Sequence, residues 1–131
     1  MNIRNKYITF AKMETKNKII RDVFKTDEYE LYFRSLDIKI QDKYDYTIQL
    51  MQTQKVVSEK FVKKIQRTEF YEVRVSIGTN EYRTMLIAAD NPNFMEAKRV
   101  VLLNSFLKKD SKQYNREIER ARTIIEKEEI L

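Results

Sequence analysis

Arg74 and Arg83 lie in two strand-like runs, FYEVRVSI and NEYRTMLIAA, on either side of Gly78-Thr79. Two arginines brought together suit a phosphate, because each guanidinium is planar, permanently charged and forks its donors toward paired oxygens. A Gly-X pair between such runs predicts a β-hairpin closed by a two-residue II′ turn. That loop sets Ile77 opposite Asn80 and Arg74 opposite Arg83. Like charges directly opposite on a sheet destabilise it, so this register implies a carboxylate or an anionic ligand between them. A one-residue slip, or both side chains simply extended into water, is the alternative the spacing leaves open. Lys108, Lys109, Lys112 and Tyr114 follow closely, and with the arginines they would make a site built to hold a phosphate.

The elements that must position these residues are strands. Alternation through Phe70–Ile77 sends Tyr71, Val73, Val75 and Ile77 to one face, and Phe70, Glu72, Arg74 and Ser76 to the other. Glu72 shares a face with Arg74 and could act as a base, an ion pair with that arginine being the plainer account. Asp90-Asn91-Pro92-Asn93 is a strong turn signal. Beyond it, Ala97–Leu107 is apolar on both faces and so predicts a central strand, with Phe106 in the core. Asp110 with Gln113 resembles a capping box, and Tyr114, Ile118, Ala121 and Ile125 mark the buried stripe of a terminal helix.

In the amino-terminal half, Lys6–Ala11 (KYITFA) reads as a short strand. Thr26 or Asp27 caps a helix whose stripe is Tyr29, Phe33, Leu36, Ile40, Tyr44 and Ile48. Ser58 begins a second helix carrying Phe61, Val62 and Ile65, with Lys60, Lys63, Lys64 and Arg67 on its outer side. A solvated basic face is the plain account of those cations, and contact with nucleic acid the functional one. The predicted class is α+β: a small antiparallel sheet packed against two N-terminal helices, with a C-terminal helix and one sheet face left free.

Composition sets limits on the chemistry. The chain has 131 residues with one glycine and one proline, which predicts a single domain, 1–131, of long regular elements. Without cysteine or histidine there is no thiolate, no imidazole base and neither of the common soft metal ligands, so no metal site and no cofactor is expected. One glycine cannot build a Gly-rich phosphate loop. The net charge of +6 favours an anionic partner. No signal segment and no long apolar run is present, so a cytoplasmic protein with no membrane role is expected.

YEVR, NEYRTMLI, FLKKDSKQY and REIERAR, in that order, resemble the RelE/ParE superfamily of type II toxins, in particular its HigB-like, phage-derived branch. The matched positions are Glu72, Arg74, Tyr82, Arg83, Phe106, Lys108, Lys109, Lys112, Glu117, Glu119, Arg120 and Ala121. The chain departs from that pattern at Asp110 and Gln113, where threonine is frequent, and at Tyr114, where proline is common. It also lacks the histidines thought to act in some HigB-type enzymes.

The resemblance implies a RelE-like fold and a ribosome-dependent messenger RNA endoribonuclease. Its partners would be messenger RNA, the ribosomal decoding site and a small helix-turn-helix antitoxin. Metal-independent cleavage needs in-line attack by the ribose 2′-hydroxyl and stabilisation of charge on the non-bridging oxygens. Arg83 is the first choice for that role and Arg74 the second. Proton transfer falls to one or two of Lys108, Lys109 and Lys112, whose mutual crowding and desolvation would favour the neutral amine. Tyr114 would stack on a base or donate its proton, and Tyr82, Lys60, Lys63, Lys64 and Arg67 would contact RNA. A gyrase-directed ParE-like toxin, or an inactive binding module of the same fold, is the alternative.

Overall fold

The computed structural model describes residues 18–131, and the strand expected at Lys6–Ala11 lies outside them. Along the chain come β1 (Asp22–Lys25), α1 (Asp27–Arg34), α2 (Ile38–Thr53), β2 (Val62–Lys64), β3 (Tyr71–Ile77), β4 (Asn80–Ala88), β5 (Arg99–Leu107) and α3 (Lys112–Lys127). The strands form one sheet in the order β1-β5-β4-β3-β2, so the class is α+β as predicted. Neighbours are antiparallel except β1, which joins β5 in parallel. Among the described residues no helix is long and apolar enough to cross a membrane.

Each face of the sheet has its own core. Val73, Val75, Leu86, Val100 and Leu102 bury against Tyr29, Tyr44, Ile48 and Met51 of α1 and α2. On the other face Met85, Ile87, Val101, Leu103 and Phe106 bury against Ala121 and Ile124 of α3. The face expected to stay free is therefore roofed, and its accessible strip carries Arg74, Ser76 and Glu81. The apolar run in β5 is central for the predicted reason, with β4 on one side and β1 on the other. A bulge shifts the β4–β5 register between Thr84 and Leu86.

The predicted hairpin forms with Ile77 opposite Asn80 and Arg74 opposite Arg83. Gly78 takes φ +59°, as the first position of a II′ turn demands, whereas space for a side chain is not the constraint there. The long amino-terminal stripe belongs to two helices. Thr26 caps α1 by accepting from the Tyr29 amide, and its own hydroxyl donates to the Leu103 carbonyl. Ser35 closes α1 by donating from its hydroxyl to the Tyr32 carbonyl, and the Asp37 carbonyl then starts α2.

The helix expected from Ser58 is absent. Residues 58–61 turn, and Val62–Lys64 pairs antiparallel with Tyr71–Val73. FVKKI fits either period, and pairing with the open edge of β3 outweighs local propensity. At the other end of the chain the capping residues work as predicted, one position off. Asp110 accepts from the Gln113 amide, while the Gln113 side chain accepts from the Lys109 amide.

Arg21, immediately before β1, is buried with no carboxylate in salt-bridge contact among the described residues. Its five N–H donors meet the carbonyls of Met51, Gln54, Lys55, Met95 and Ala97, and its guanidinium lies 4.2 Å from the Phe94 ring centroid. One side chain thereby ties β1, the end of α2 and the loop before β5.

Candidate active site

Arg74 and Arg83 meet on the α3 face because strand alternation and hairpin register agree. The Arg74 amide donates outward to the Phe61 carbonyl, so Arg74 and Arg83 form a non-hydrogen-bonded pair, the kind that brings side chains closest. Their mutual repulsion is met by Glu72. Its Oε2 lies 2.9 Å from Arg74 Nε and 3.6 Å from Arg83 Nε. Glu72 supplies the carboxylate the register implied, and the expected Glu72–Arg74 ion pair forms.

Arg83 is 3% exposed. Its Nε donates to the Tyr114 hydroxyl at 3.2 Å, one Nη to the Tyr82 carbonyl at 3.0 Å and the other to Glu81 at 3.2 Å. Burial works against its charge, but Tyr114, Glu81 and Glu72 together outweigh that and hold the guanidinium firmly protonated. Glu81 was not singled out by sequence. The available signal was its position two residues before Arg83, on the same side of a strand.

Tyr114, in the first turn of α3, packs edge-on against Phe106 with ring centroids 5.4 Å apart. Phe106 is in the core, as predicted. Burial raises the phenol's pKa, the Glu72 carboxylate raises it further, and Arg83 opposes both. The hydroxyl therefore keeps its proton at neutral pH while accepting from Arg83. Two guanidinium groups, a carboxylate and a neutral phenol converge on one sheet face.

The remaining expected residues divide. The Lys108 amide bonds the Glu81 carbonyl, which holds Lys108 beside this cluster. Lys109 lines a separate cleft of about 630 Å³ with Gln113, Glu117 and Arg120, and Lys112 begins α3. All three lysines are exposed, so the desolvation expected of them is missing. Tyr82 projects to the opposite face and is buried beneath α1 and α2, out of reach of an RNA base.

Lys60, Lys63, Lys64 and Arg67 share no helical face. Lys60 is exposed beside the Phe61 ring, and Lys63 sits opposite Glu72 on β2. Lys64 donates to the Thr68 carbonyl beneath the Tyr71 ring, and Arg67 occupies an exposed turn at φ +64°.

A five-stranded sheet between α1/α2 and α3, with cations gathered at the head of α3, defines a small RelE-like α+β protein. Residues 31–126 match the model of the phage-derived Gp49-like protein family (DUF891). The chain belongs to that family, which is related to the RelE/HigB-type toxins. No match is found among curated proteins or among solved structures.

Proposed function

We propose that this protein is the toxin of a toxin–antitoxin pair, an endoribonuclease that cuts messenger RNA on the ribosome without a metal and is neutralised by a small helix-turn-helix antitoxin. One observation carries the reading: Arg74 and Arg83 share a single carboxylate, Glu72, with the Tyr114 hydroxyl in the same cluster. A carboxylate and a phosphodiester present similar paired oxygens to a guanidinium. The Glu72 position thus resembles the place a phosphate would take.

The reaction follows from exchange of those partners. The scissile phosphate takes over the two arginines and releases the Glu72 carboxylate. The 2′-oxygen then attacks phosphorus as its proton passes to Glu72, and the bond from phosphorus to the 5′-oxygen breaks. Tyr114 gives its proton to the departing 5′-oxygen, which is far more basic than a phenolate. The products are a 2′,3′-cyclic phosphate and a 5′-hydroxyl. Arg83 stabilises the charge gathered on the non-bridging oxygens, in a site dry enough for that to count. Lys108 and Lys112, being exposed, attract and hold the backbone instead of trading protons.

The test is induction of the protein in a translating extract, followed by mapping of transcript ends. Translated messages should carry new 5′-hydroxyl ends, and Arg83→Ala should remove them. Intact messages from a folded wild-type protein would overturn the reading. Intact messages accompanied by gyrase inhibition would point to the ParE-like alternative.

A further inference from the structure

Among the described residues β2 pairs only as far as Val73, which leaves the edge of β3 beyond Arg74 open toward α2. A cleft of about 440 Å³ occupies that gap. One face of α2 forms a wall, since Asp42, Lys43 and Tyr46 fall three and four residues apart. Phe61 and Lys60 form the opposite wall, and Arg74 stands at the mouth, shared with the cluster described above. Tyr46 is 57% exposed, and its ring meets Phe61 edge-on at 6.2 Å. The Lys60 ammonium lies 5.6 Å from the Phe61 ring centroid, and Lys43 donates to the Ser76 carbonyl on the strand edge.

Exposed aromatic surface among cations is the pattern that holds single-stranded nucleic acid, with rings stacking on bases and cations tracking the backbone. Lys43, Lys60 and Arg74 outnumber Asp42, the one acid among the described residues that line the cleft. We propose that this cleft is a nucleotide subsite of the RNA strand whose phosphate sits on Arg74 and Arg83, an inference resting on RNA being the substrate. A base neighbouring the cut stacks on Tyr46. Lys43 and Lys60 meet its flanking phosphate, and Asp42 accepts from an exocyclic amino group. Arg74 joins the subsite to the scissile phosphate, so the nucleotide held here is fixed in register with the cut.

The test is fluorescence anisotropy with a dye-labelled, fully 2′-O-methylated single-stranded RNA, which lacks the attacking hydroxyl and cannot be cut. Tyr46→Ala should weaken its binding by at least about fivefold, and Tyr46→Phe should restore it. Lys60→Gln should flatten the dependence on salt. Thermal melts of Tyr46→Ala should match wild type, because the ring is largely outside the core. Equal binding by wild type and Tyr46→Ala, no measurable binding by wild type, or equal preference for duplex would each overturn the subsite. Tyr46-dependent binding without message cleavage would keep the subsite and remove the nuclease. Cleavage with Tyr46-independent binding would do the reverse.

Discussion

Arg21 and Arg83 are both buried, at 1% and 3% exposure, yet they are satisfied in opposite ways. Arg21 is closed. Each of its five donors faces a backbone carbonyl, from Met51 in α2 or from the turns at 54–55 and 95–97, so an anion can approach it only by displacing main chain. Arg83 is held by side chains that can be exchanged: two carboxylates and a phenol, besides one carbonyl. Among the described residues three of its five donors make hydrogen bonds, which leaves one N–H on each Nη for an incoming oxygen. Burial therefore does not separate a structural arginine from a functional one. The kind of partner does, because carbonyl dipoles fix a cation in place whereas a carboxylate can hand it to a phosphate.

The largest effect should come from breaking the closed site. Arg21→Ala strands five carbonyls, and each buried acceptor left unpaired costs about 1 to 3 kcal/mol. Two of the five, on Met51 and Ala97, are fully buried, so the loss should be about 2 to 6 kcal/mol, a large share of ordinary domain stability. Urea titration should find the variant's midpoint lowered accordingly. A loss under about 2 kcal/mol would erase the contrast between the two arginines.

At the exchangeable site the effect should fall on rate. Arg83→Ala should lower the cleavage rate by about 10² to 10³, the usual loss for one preorganised donor. Its stability should fall less than that of Arg21→Ala, since Glu72 keeps Arg74 and Glu81 is already half in water. Arg83→Lys should not rescue cleavage, because an ammonium lacks the planar fork. Glu72→Gln sharpens the comparison. It should bind inorganic sulfate more tightly, having lost the competing carboxylate, yet cleave about 10²-fold more slowly for want of a base. Unchanged cleavage would reduce Glu72 to an ion-pair partner.

What the sequence made legible follows the same division. The II′ turn, hairpin register and central β5 were readable because glycine placement and alternation are local signals. The Arg74–Arg83 juxtaposition followed from them without any tertiary knowledge. The helix expected from Ser58 failed because FVKKI matches both periods, and only the edge of β3, ten residues on, decides between them. The RNA contact expected of Tyr82 rests on the resemblance alone. Neighbours in a strand face opposite ways, and the sequence alone did not say that both faces were covered. The carbonyls around Arg21 come from two separate segments, 51–55 and 95–97, which no local pattern announces.

The smallest effect tests whether the Tyr114 hydroxyl belongs to the exchangeable set. Tyr114→Phe keeps the ring against Phe106 and removes one hydrogen bond to Arg83, so its stability cost should be about 1 kcal/mol. Burial, then Glu72, raises the phenol's pKa in the folded protein, so the native state holds that proton more tightly than the unfolded chain. The resulting stabilisation is whole below about pH 10, where an unfolded tyrosine begins to ionise, and is lost as pH climbs toward the raised native value. Tyr29 and Tyr44, with pKa values also raised chiefly by burial, add the same trend from the opposite face. Urea midpoints across the alkaline range should therefore fall for wild type and fall less steeply for Tyr114→Phe. Parallel curves would mean that the hydroxyl sees the same surroundings folded and unfolded, and would remove it as the proton donor beside Arg83.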